Sequence, residues 1–148
     1  MNTEFWMNRR GESFHFVHWK GEEYSNPTLM LIHHGHGEHA KRYDGFAAQL
    51  ADLPMDVRGF DCRGHGESYG TRGRADGLDG LVADLEEIIP VMLEKSGAER
   101  LILYGHSMGG AVVAHYLTAY KPHPAVVGAI LSAPALAIPR TLSTTIKV

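Results

Sequence analysis

A serine between two glycines, in the run GHSMG at residues 105–109, constrains the fold of this chain more than any other feature. Residues 101–104, before it, are apolar and of strand length, and residues 110–117, after it, have the pattern of a buried helix. A strand, a G-x-S-x-G turn and a helix in this order are typical of a nucleophile elbow, which lifts a serine hydroxyl above a sheet. We therefore predict that Ser107 is a nucleophile and that Gly105 and Gly109 let the strand and helix backbones pass closely. The alternative is a glycine-rich turn with an incidental serine.

Two backbone N–H groups are candidates for the oxyanion hole that an acyl-transfer enzyme needs. The N–H of Met108 lies at the predicted start of the helix, where N–H groups have no partner within the helix. The N–H of His36 lies between two glycines in HHGHGEH, residues 33–39, directly after an apolar strand at residues 28–32. The four histidines and the glutamate of this run are also a candidate metal site. Their crowding on a strand end, without a helical i, i+4 pair, favours an oxyanion loop, and we predict no metal.

Three motifs occur together in a fixed order along the chain. They are HGHGEH at residues 34–39 followed by Arg42 and Tyr43, DCRGHGES at residues 61–68, and GHSMGG at residues 105–110. Together they resemble the branch of the α/β-hydrolases that contains monoacylglycerol lipases, lysophospholipases and S33-type serine aminopeptidase-like hydrolases, and the resemblance covers about residues 28–136. One departure is Cys62, where the family pattern more often has histidine.

The resemblance implies the same site as the residues themselves, with Ser107 as the nucleophile and the backbone N–H groups of His36 and Met108 as the oxyanion hole. It also implies a small-molecule lipid or ester as the substrate. We interpret residues 61–68 as a tight connection after a strand rather than as a catalytic loop. Glu38 and His39 either line the mouth of the site or anchor the oxyanion loop.

The residues after Ser107 lack the other members of a catalytic triad. In this fold an Asp or Glu and then a His follow the nucleophile along the chain, but the last acidic residue is Glu99. Eight helical residues place His115 roughly 12 Å from Ser107, and His123 precedes the next predicted strand. We therefore expect the triad acid and histidine to be absent from the chain, and the 148 residues alone to have negligible activity.

The order of elements predicts an α/β fold, the N-terminal half of an α/β-hydrolase with a mostly parallel sheet. A hairpin turning at Gly11 precedes a β-α-β-α-β-α-β series, and apolar runs favour strands covered on both faces. The predicted segments are strands at 4–7, 13–20, 28–32, 55–61, 101–104 and 126–131 and helices around 43–50, 78–93 and 110–117. Asp76 or Asp79 is expected to cap the second helix, and Pro90 to bend it. No domain boundary is visible, and we interpret residues 1–148 as one incomplete α/β-hydrolase domain that ends at the start of the cap region.

Composition excludes several classes of function. A net charge of −3 without a basic stripe gives no reason to expect nucleic acid, and no apolar run approaches the length of a membrane span. Cys62 is the only cysteine, so we predict no internal disulfide and a reducing, cytoplasmic location. We also predict no cofactor. Because the last strand would lie at an uncovered edge of the sheet, we expect self-association through that edge.

Three functions from different classes fit these observations. The first is a serine carboxylic-ester hydrolase of monoacylglycerol lipase or lysophospholipase type, which works through an acyl-enzyme and is truncated here before the triad acid and histidine. The second is a non-catalytic fragment or decayed hydrolase that acts at most as a binding module. The third is a peptidase or transacylase of the same fold.

Overall fold

The computed structural model describes residues 1–20 and 27–137 of the chain. The predicted approach to a cap region after residue 137 lies outside the described residues. The strands are β1 (Asn2–Met7), β2 (Ser13–Lys20), β3 (Thr28–His33), β4 (Met55–Phe60), β5 (Arg100–His106) and β6 (Val126–Ser132). A short 3₁₀ helix covers Ala40–Tyr43, and the α-helices are α1 (Asp44–Gln49), α2 (Gly77–Ser96) and α3 (Met108–Ala119).

The six strands form one sheet in the order β1-β2-β4-β3-β5-β6. β1 and β2 are antiparallel to each other, β2 is antiparallel to β4, and β4, β3, β5 and β6 are mutually parallel. The prediction of a hairpin followed by a mostly parallel sheet is therefore confirmed. The hairpin turns where predicted, because Gly11 has a left-handed φ of 77° and its N–H donates to the carbonyl of Asn8 at 3.0 Å.

The register of the parallel strands places their carboxyl ends side by side. His33 pairs with Phe60 of β4 on one side and with Gly105 of β5 on the other, and His106 pairs with Ser132 of β6. Ligands in open α/β sheets bind outside this edge, since the loops that leave the strands converge there. The loops that carry the three sequence motifs therefore begin at one edge of the sheet.

Helices cover the two faces of the sheet unequally. Along β3, Leu29 and Leu31 point to one face and pack in a large apolar cluster with residues of α2 and α3. Met30 and Ile32 point to the other face and pack in a smaller cluster with Tyr43 and residues of α1. None of the helices in the described residues combines the length and the hydropathy needed to cross a membrane.

β6 is not covered on both faces, as its apolar run predicted, but lies at the uncovered edge that the order of elements predicted. Val127, Ile130 and Leu131 keep 51%, 44% and 39% of their surface exposed. The physical reason is position, because within the described residues β6 lies at the edge of the sheet and pairs only with β5. An apolar run alone does not tell a central strand from an edge strand.

The start of α2 also differs from expectation. Asp76 occupies the N-cap position, but its side chain makes no capping hydrogen bond. Its carboxyl group pairs instead with Arg63 at 3.4 Å and Arg74 at 3.5 Å. Asp79 is in the first turn of α2, and its carboxyl group contacts His115. Pro90 lies within α2, and the helix continues past it to Ser96.

Candidate active site

Ser107 lies at a sharp turn between β5 and α3, with a φ of 51° and a ψ of −113°. A non-glycine residue with positive φ is uncommon, and strain of this kind costs of the order of 1–3 kcal/mol and clusters at active sites. Three backbone hydrogen bonds hold the turn. The N–H of Ser107 donates to Ser132 at 3.0 Å, and its carbonyl accepts from Ala111 at 3.1 Å and from Ala135 at 2.9 Å. The side chain at this turn is half-buried.

Gly105 and Gly109 have a steric role at this turn. A Cβ on Gly105 would lie 2.5 Å from the carbonyl oxygen of Gly109, and a Cβ on Gly109 would overlap the carbonyl oxygen of His33. The first turn of α3 therefore packs directly on the ends of β3 and β5, at a distance that no side chain permits. This packing puts the N-terminus of α3, and with it the N–H of Met108, beside the loop that follows β3.

The loop after β3 forms a tight turn next to Ser107. The N–H of Glu38 donates to the carbonyl of Gly35 at 3.4 Å, and Gly37 has the positive φ, 71°, that the third position of a type II turn requires. A Cβ on Gly35 would lie 3.3 Å from the Cβ of Ser107, so the turn and the elbow are in contact. The turn that contains His36 is therefore in contact with the turn at Ser107.

Glu38 has both of the roles that its sequence position left open. Its Oε2 accepts hydrogen bonds from the N–H of Gly35 at 3.2 Å and from the hydroxyl of Tyr43 at 3.0 Å, which anchors the turn. It also lines an open cleft of about 300 Å³ together with His106 and Ser132. Burial alone would raise the pKa of Glu38, but these two hydrogen bonds and nearby positive groups outweigh burial and lower it. The cleft next to the elbow therefore contains an ionised carboxylate. His39, by contrast, is exposed.

His106 occupies the wall between this cleft and the elbow. Its Nδ1 lies 3.1 Å from the hydroxyl of Ser132, and its Nε2 lies 4.0 Å from the carboxylate of Glu38. Its Cδ2 would be 3.3 Å from a Cβ on Gly35, so the imidazole packs against the loop after β3. The position of His106 immediately before Ser107 did not predict this pairing, which depends on the register of β5 with β6.

Two further histidines lie beneath the loop and are buried. His33 and His34 are 1% and 0% exposed, and each has its Nδ1 within hydrogen-bonding distance of the next residue's carbonyl oxygen. Burial, which disfavours the charged imidazolium, lowers the pKa of His33 to about 3 and that of His34 to about 4. Both rings are therefore neutral near pH 7. In the part of the chain that the structure describes, no three His, Cys, Asp or Glu side chains are arranged to hold a metal ion.

The segment after β4, residues 61–68, makes buried hydrogen bonds to the elements around the loop after β3. The buried carboxyl group of Asp61 accepts from the N–H of Ala40 at 2.6 Å, from Nδ1 of His15 at 2.8 Å and from the N–H of Glu67 at 2.9 Å. Burial raises the pKa of the Cys62 thiol, which disfavours the thiolate that a cysteine nucleophile needs. These contacts support the interpretation of residues 61–68 as a structural connection.

The two histidines that follow the elbow region have partners elsewhere. Nε2 of His115 lies 2.9 Å from the carboxyl group of Asp79 in α2. In the connection between α3 and β6, Nδ1 of His123 accepts from the N–H of Ala125 at 3.2 Å. Neither hydrogen bond involves Ser107.

Comparison with known proteins gives a consistent picture. A family model described as "Serine aminopeptidase, S33" matches residues 25–148. The monoglyceride lipase of Homo sapiens is 31% identical over 142 residues, which are 96% of this chain and 46% of that protein. Protein phosphatase methylesterase 1 of Candida albicans is 33% identical over 128 residues, which are 86% of this chain and 34% of that protein.

Among solved structures, a soluble variant of the monoglyceride lipase from Saccharomyces cerevisiae, in complex with a substrate analog, is similar with a TM-score of 0.79 at 23% identity. The similarity covers 97% of this chain and 47% of that one. The chain therefore spans less than half the length of each of these three proteins, and its sheet is that of the N-terminal half of an α/β-hydrolase fold, as the resemblance implied.

The two buried histidines predict how stability depends on pH. In the folded chain His34 binds a proton only below about pH 4 and His33 below about pH 3, whereas the ordinary value for both is 6.5. Between pH 4 and 6.5 the unfolded chain therefore binds more protons. We expect the free energy of unfolding to fall as the pH drops through this window, by about 1.4 kcal/mol per pH unit for each histidine.

Urea unfolding of the wild type and of His33→Asn at several pH values from 4.5 to 7.5 measures this dependence. Asparagine can still donate to the carbonyl of His34 but does not titrate. The free energy of unfolding of His33→Asn should therefore depend less steeply on pH, by the contribution of about one proton. Equal slopes for the two proteins would contradict the burial of a neutral His33.

Proposed function

The chain belongs to the serine aminopeptidase S33 family, and we propose that it provides the nucleophile and the oxyanion hole of a serine carboxylic-ester hydrolase of monoacylglycerol lipase or lysophospholipase type. The observation that carries the proposal is the strained backbone of Ser107 at the start of α3, in contact with the turn at Gly35. A serine held at positive φ beside a helix N-terminus is the arrangement that a nucleophile elbow needs.

In the proposed reaction, the hydroxyl oxygen of Ser107 attacks the carbonyl carbon of an ester while a general base takes its proton and then passes it to the leaving alkoxide. The oxyanion that forms accepts hydrogen bonds from the backbone N–H groups of Met108 and His36. Collapse of the tetrahedral intermediate expels the alcohol and leaves the acyl group on Ser107, and water then releases the fatty acid by the reverse sequence. Removing one oxyanion donor typically costs about 10²–10³ in kcat.

We infer an ester substrate from the relatives. The human protein is named as a monoglyceride lipase and the Candida albicans protein as a methylesterase, so both names describe ester cleavage. Of these, monoglyceride lipase matches almost the whole chain, which favours a monoacylglycerol or lysophospholipid over a methyl ester. A cytoplasmic location, predicted from the single cysteine, stays a prediction.

We propose that the triad acid and histidine come from polypeptide outside residues 1–148. No Asp or Glu follows Glu99, and His115 and His123 make their hydrogen bonds away from Ser107. Without a base the hydroxyl is not activated, and a hydrolase that has lost its triad keeps on the order of 10³–10⁴-fold acceleration over water. The 148-residue chain is therefore proposed to have negligible turnover of short-chain esters and monoacylglycerols.

Rescue by imidazole tests this proposal on the chain itself. If only the base is lacking, free imidazole should accelerate the reaction of Ser107 with an alkyl fluorophosphonate. We expect a rate that rises linearly with the concentration of neutral imidazole and gains at least about tenfold, a small part of the 10²–10⁴-fold that a positioned base provides. Intact-protein mass spectrometry measures the adduct, and Ser107→Ala should form none.

Two results would contradict the proposal. A folded wild-type chain that gains no adduct in imidazole would leave Ser107 without a nucleophilic role and would favour a binding module. Rapid labelling without imidazole, with a plateau near neutral pH, would mean that a base within the chain, such as His34, His36 or His39, reaches Ser107. A monoacylglycerol and an aminoacyl anilide compared under the rescue conditions separate an esterase from a peptidase.

We also propose that the chain self-associates through β6. An exposed apolar edge strand offers unpaired backbone groups to another chain, and Val127 and Ile130 are 51% and 44% exposed. The charged substitution Val127→Lys should lower the fraction of dimers and larger species in sedimentation velocity. Phe5→Lys, at the opposite edge of the sheet, where Phe5 is 59% exposed, is the matched control and should not.

The oligomeric state of the wild-type chain is the decisive measurement for this proposal. A monodisperse monomer with a cooperative thermal transition would refute self-association, and equal association of wild type and Val127→Lys would exclude β6 as the interface.

A further inference from the structure

The peptide group between Gly35 and His36 contains the proposed oxyanion donor, the N–H of His36. The described chain has no cis peptide bonds, so the carbonyl of Gly35 and the N–H of His36 point in opposite directions from one plane. Whatever fixes the direction of the Gly35 carbonyl therefore fixes the direction of the His36 N–H. The carbonyl accepts two hydrogen bonds, from Nδ1 of His34 at 2.7 Å and from the N–H of Glu38 at 3.4 Å.

The imidazole of His34 is itself fixed at its other nitrogen. Nε2 accepts a hydrogen bond from the N–H of Cys62 at 3.0 Å, so in the neutral ring the proton is on Nδ1. The side chain is fully buried, and burial lowers its pKa to about 4, which keeps the ring neutral. One imidazole thus connects the segment after β4 to the carbonyl of the oxyanion loop.

We propose that His34 is a positioning residue that sets the oxyanion donor, because its Nδ1–H holds the Gly35 carbonyl inward and so turns the N–H of His36 toward the hydroxyl of Ser107. The inference rests on the proposed function. The hydrogen bond from His34 is the shorter of the two that the carbonyl accepts, and a 3.4 Å bond alone is weak. Without His34, the bond from the N–H of Glu38 is the one hydrogen bond to the Gly35–His36 peptide among the described residues.

A purely structural role for His34 is the competing explanation, and two amide substitutions separate the two. In His34→Asn the amide nitrogen is attached at the Cγ, as Nδ1 is, so it can still donate to the Gly35 carbonyl. In His34→Gln the amide group is nearer to the position of Nε2, so it can still accept from the N–H of Cys62 but leaves the Gly35 carbonyl without its donor. If His34 has only a structural role, both variants should behave alike. If it positions the peptide, only His34→Asn should retain the wild-type orientation.

The first measurement is nuclear magnetic resonance of the folded chain without any reagent. We expect the ring ¹⁵N shifts of His34 to show a proton on Nδ1 and none on Nε2. The ¹³C shift of the Gly35 carbonyl should stay close to the wild-type value in His34→Asn and move in His34→Gln. A proton on Nε2 in the wild type, a measurement that needs no variant to fold, would overturn the proposal, as would an unchanged carbonyl shift in His34→Gln.

The second measurement is the imidazole-rescued labelling of Ser107, at a temperature where thermal melts show each variant folded. His34→Asn should keep the wild-type rate within about threefold, and His34→Gln should lose at least about tenfold, toward the 10²–10³ of a lost donor. Equal rates in the two variants would overturn the positioning role. Failure of the wild type to label would instead overturn the proposed function, and the ¹³C shift of Gly35 would still decide whether His34 orients the peptide.

Discussion

The contact between the first turn of α3 and the ends of β3 and β5 is the constraint on which the rest of the site depends. At Gly109 the helix meets the carbonyl of His33, and at Gly105 the strand meets the carbonyl of Gly109, with no room for a Cβ at either position. The chain can enter α3 at this distance only through a sharp turn, so Ser107 takes a positive φ. The same contact sets the N–H of Met108 and the loop after β3 side by side, so the proposed nucleophile and oxyanion donors follow from one packing distance.

Buried polar groups fix the position of the loop after β3 through hydrogen bonds. Asp61 is 2% exposed, and a carboxyl group is tolerated there because three N–H donors reach it, from the hairpin, the 3₁₀ helix and its own loop. His34 adds a fourth connection, from the N–H of Cys62 to the carbonyl of Gly35. Removing one partner of such a network lowers the free energy of unfolding by more than the net contribution of the hydrogen bond, because the remaining partner is left buried and without a hydrogen bond. The loop beside Ser107 is thus positioned by hydrogen bonds as well as by apolar packing.

Local patterns predicted the elements and the turn, and most of the wrong or missing predictions depend on pairing between distant segments. The run GHSMG between an apolar strand and a helix was sufficient to place Ser107, because strand, turn and helix are adjacent in sequence. The exposure of Val127 could not be read from the apolar run 126–131, which looks the same in a central strand and in an edge strand. The bond between His15 and Asp61 joins residues 46 positions apart and depends on β2 pairing with β4. The role of Glu38 is a local exception, because the turn after β3 and the 3₁₀ helix bring Gly35 and Tyr43, three and five residues away, to one carboxylate.

The proposed site combines two kinds of chemistry that have different requirements. Its oxyanion donors are backbone N–H groups, whose directions follow from the turn at Gly35 and the start of α3, and they need no further polypeptide once the parallel strands are in register. A general base is a side chain that must arrive from another loop at the same edge of the sheet. The end of β6 shows where such a loop can approach, because Ser132 bonds to the N–H of Ser107 and its side chain to His106. Formation of the proposed nucleophile and oxyanion hole therefore does not require the base, which is why we expect external imidazole to reveal them.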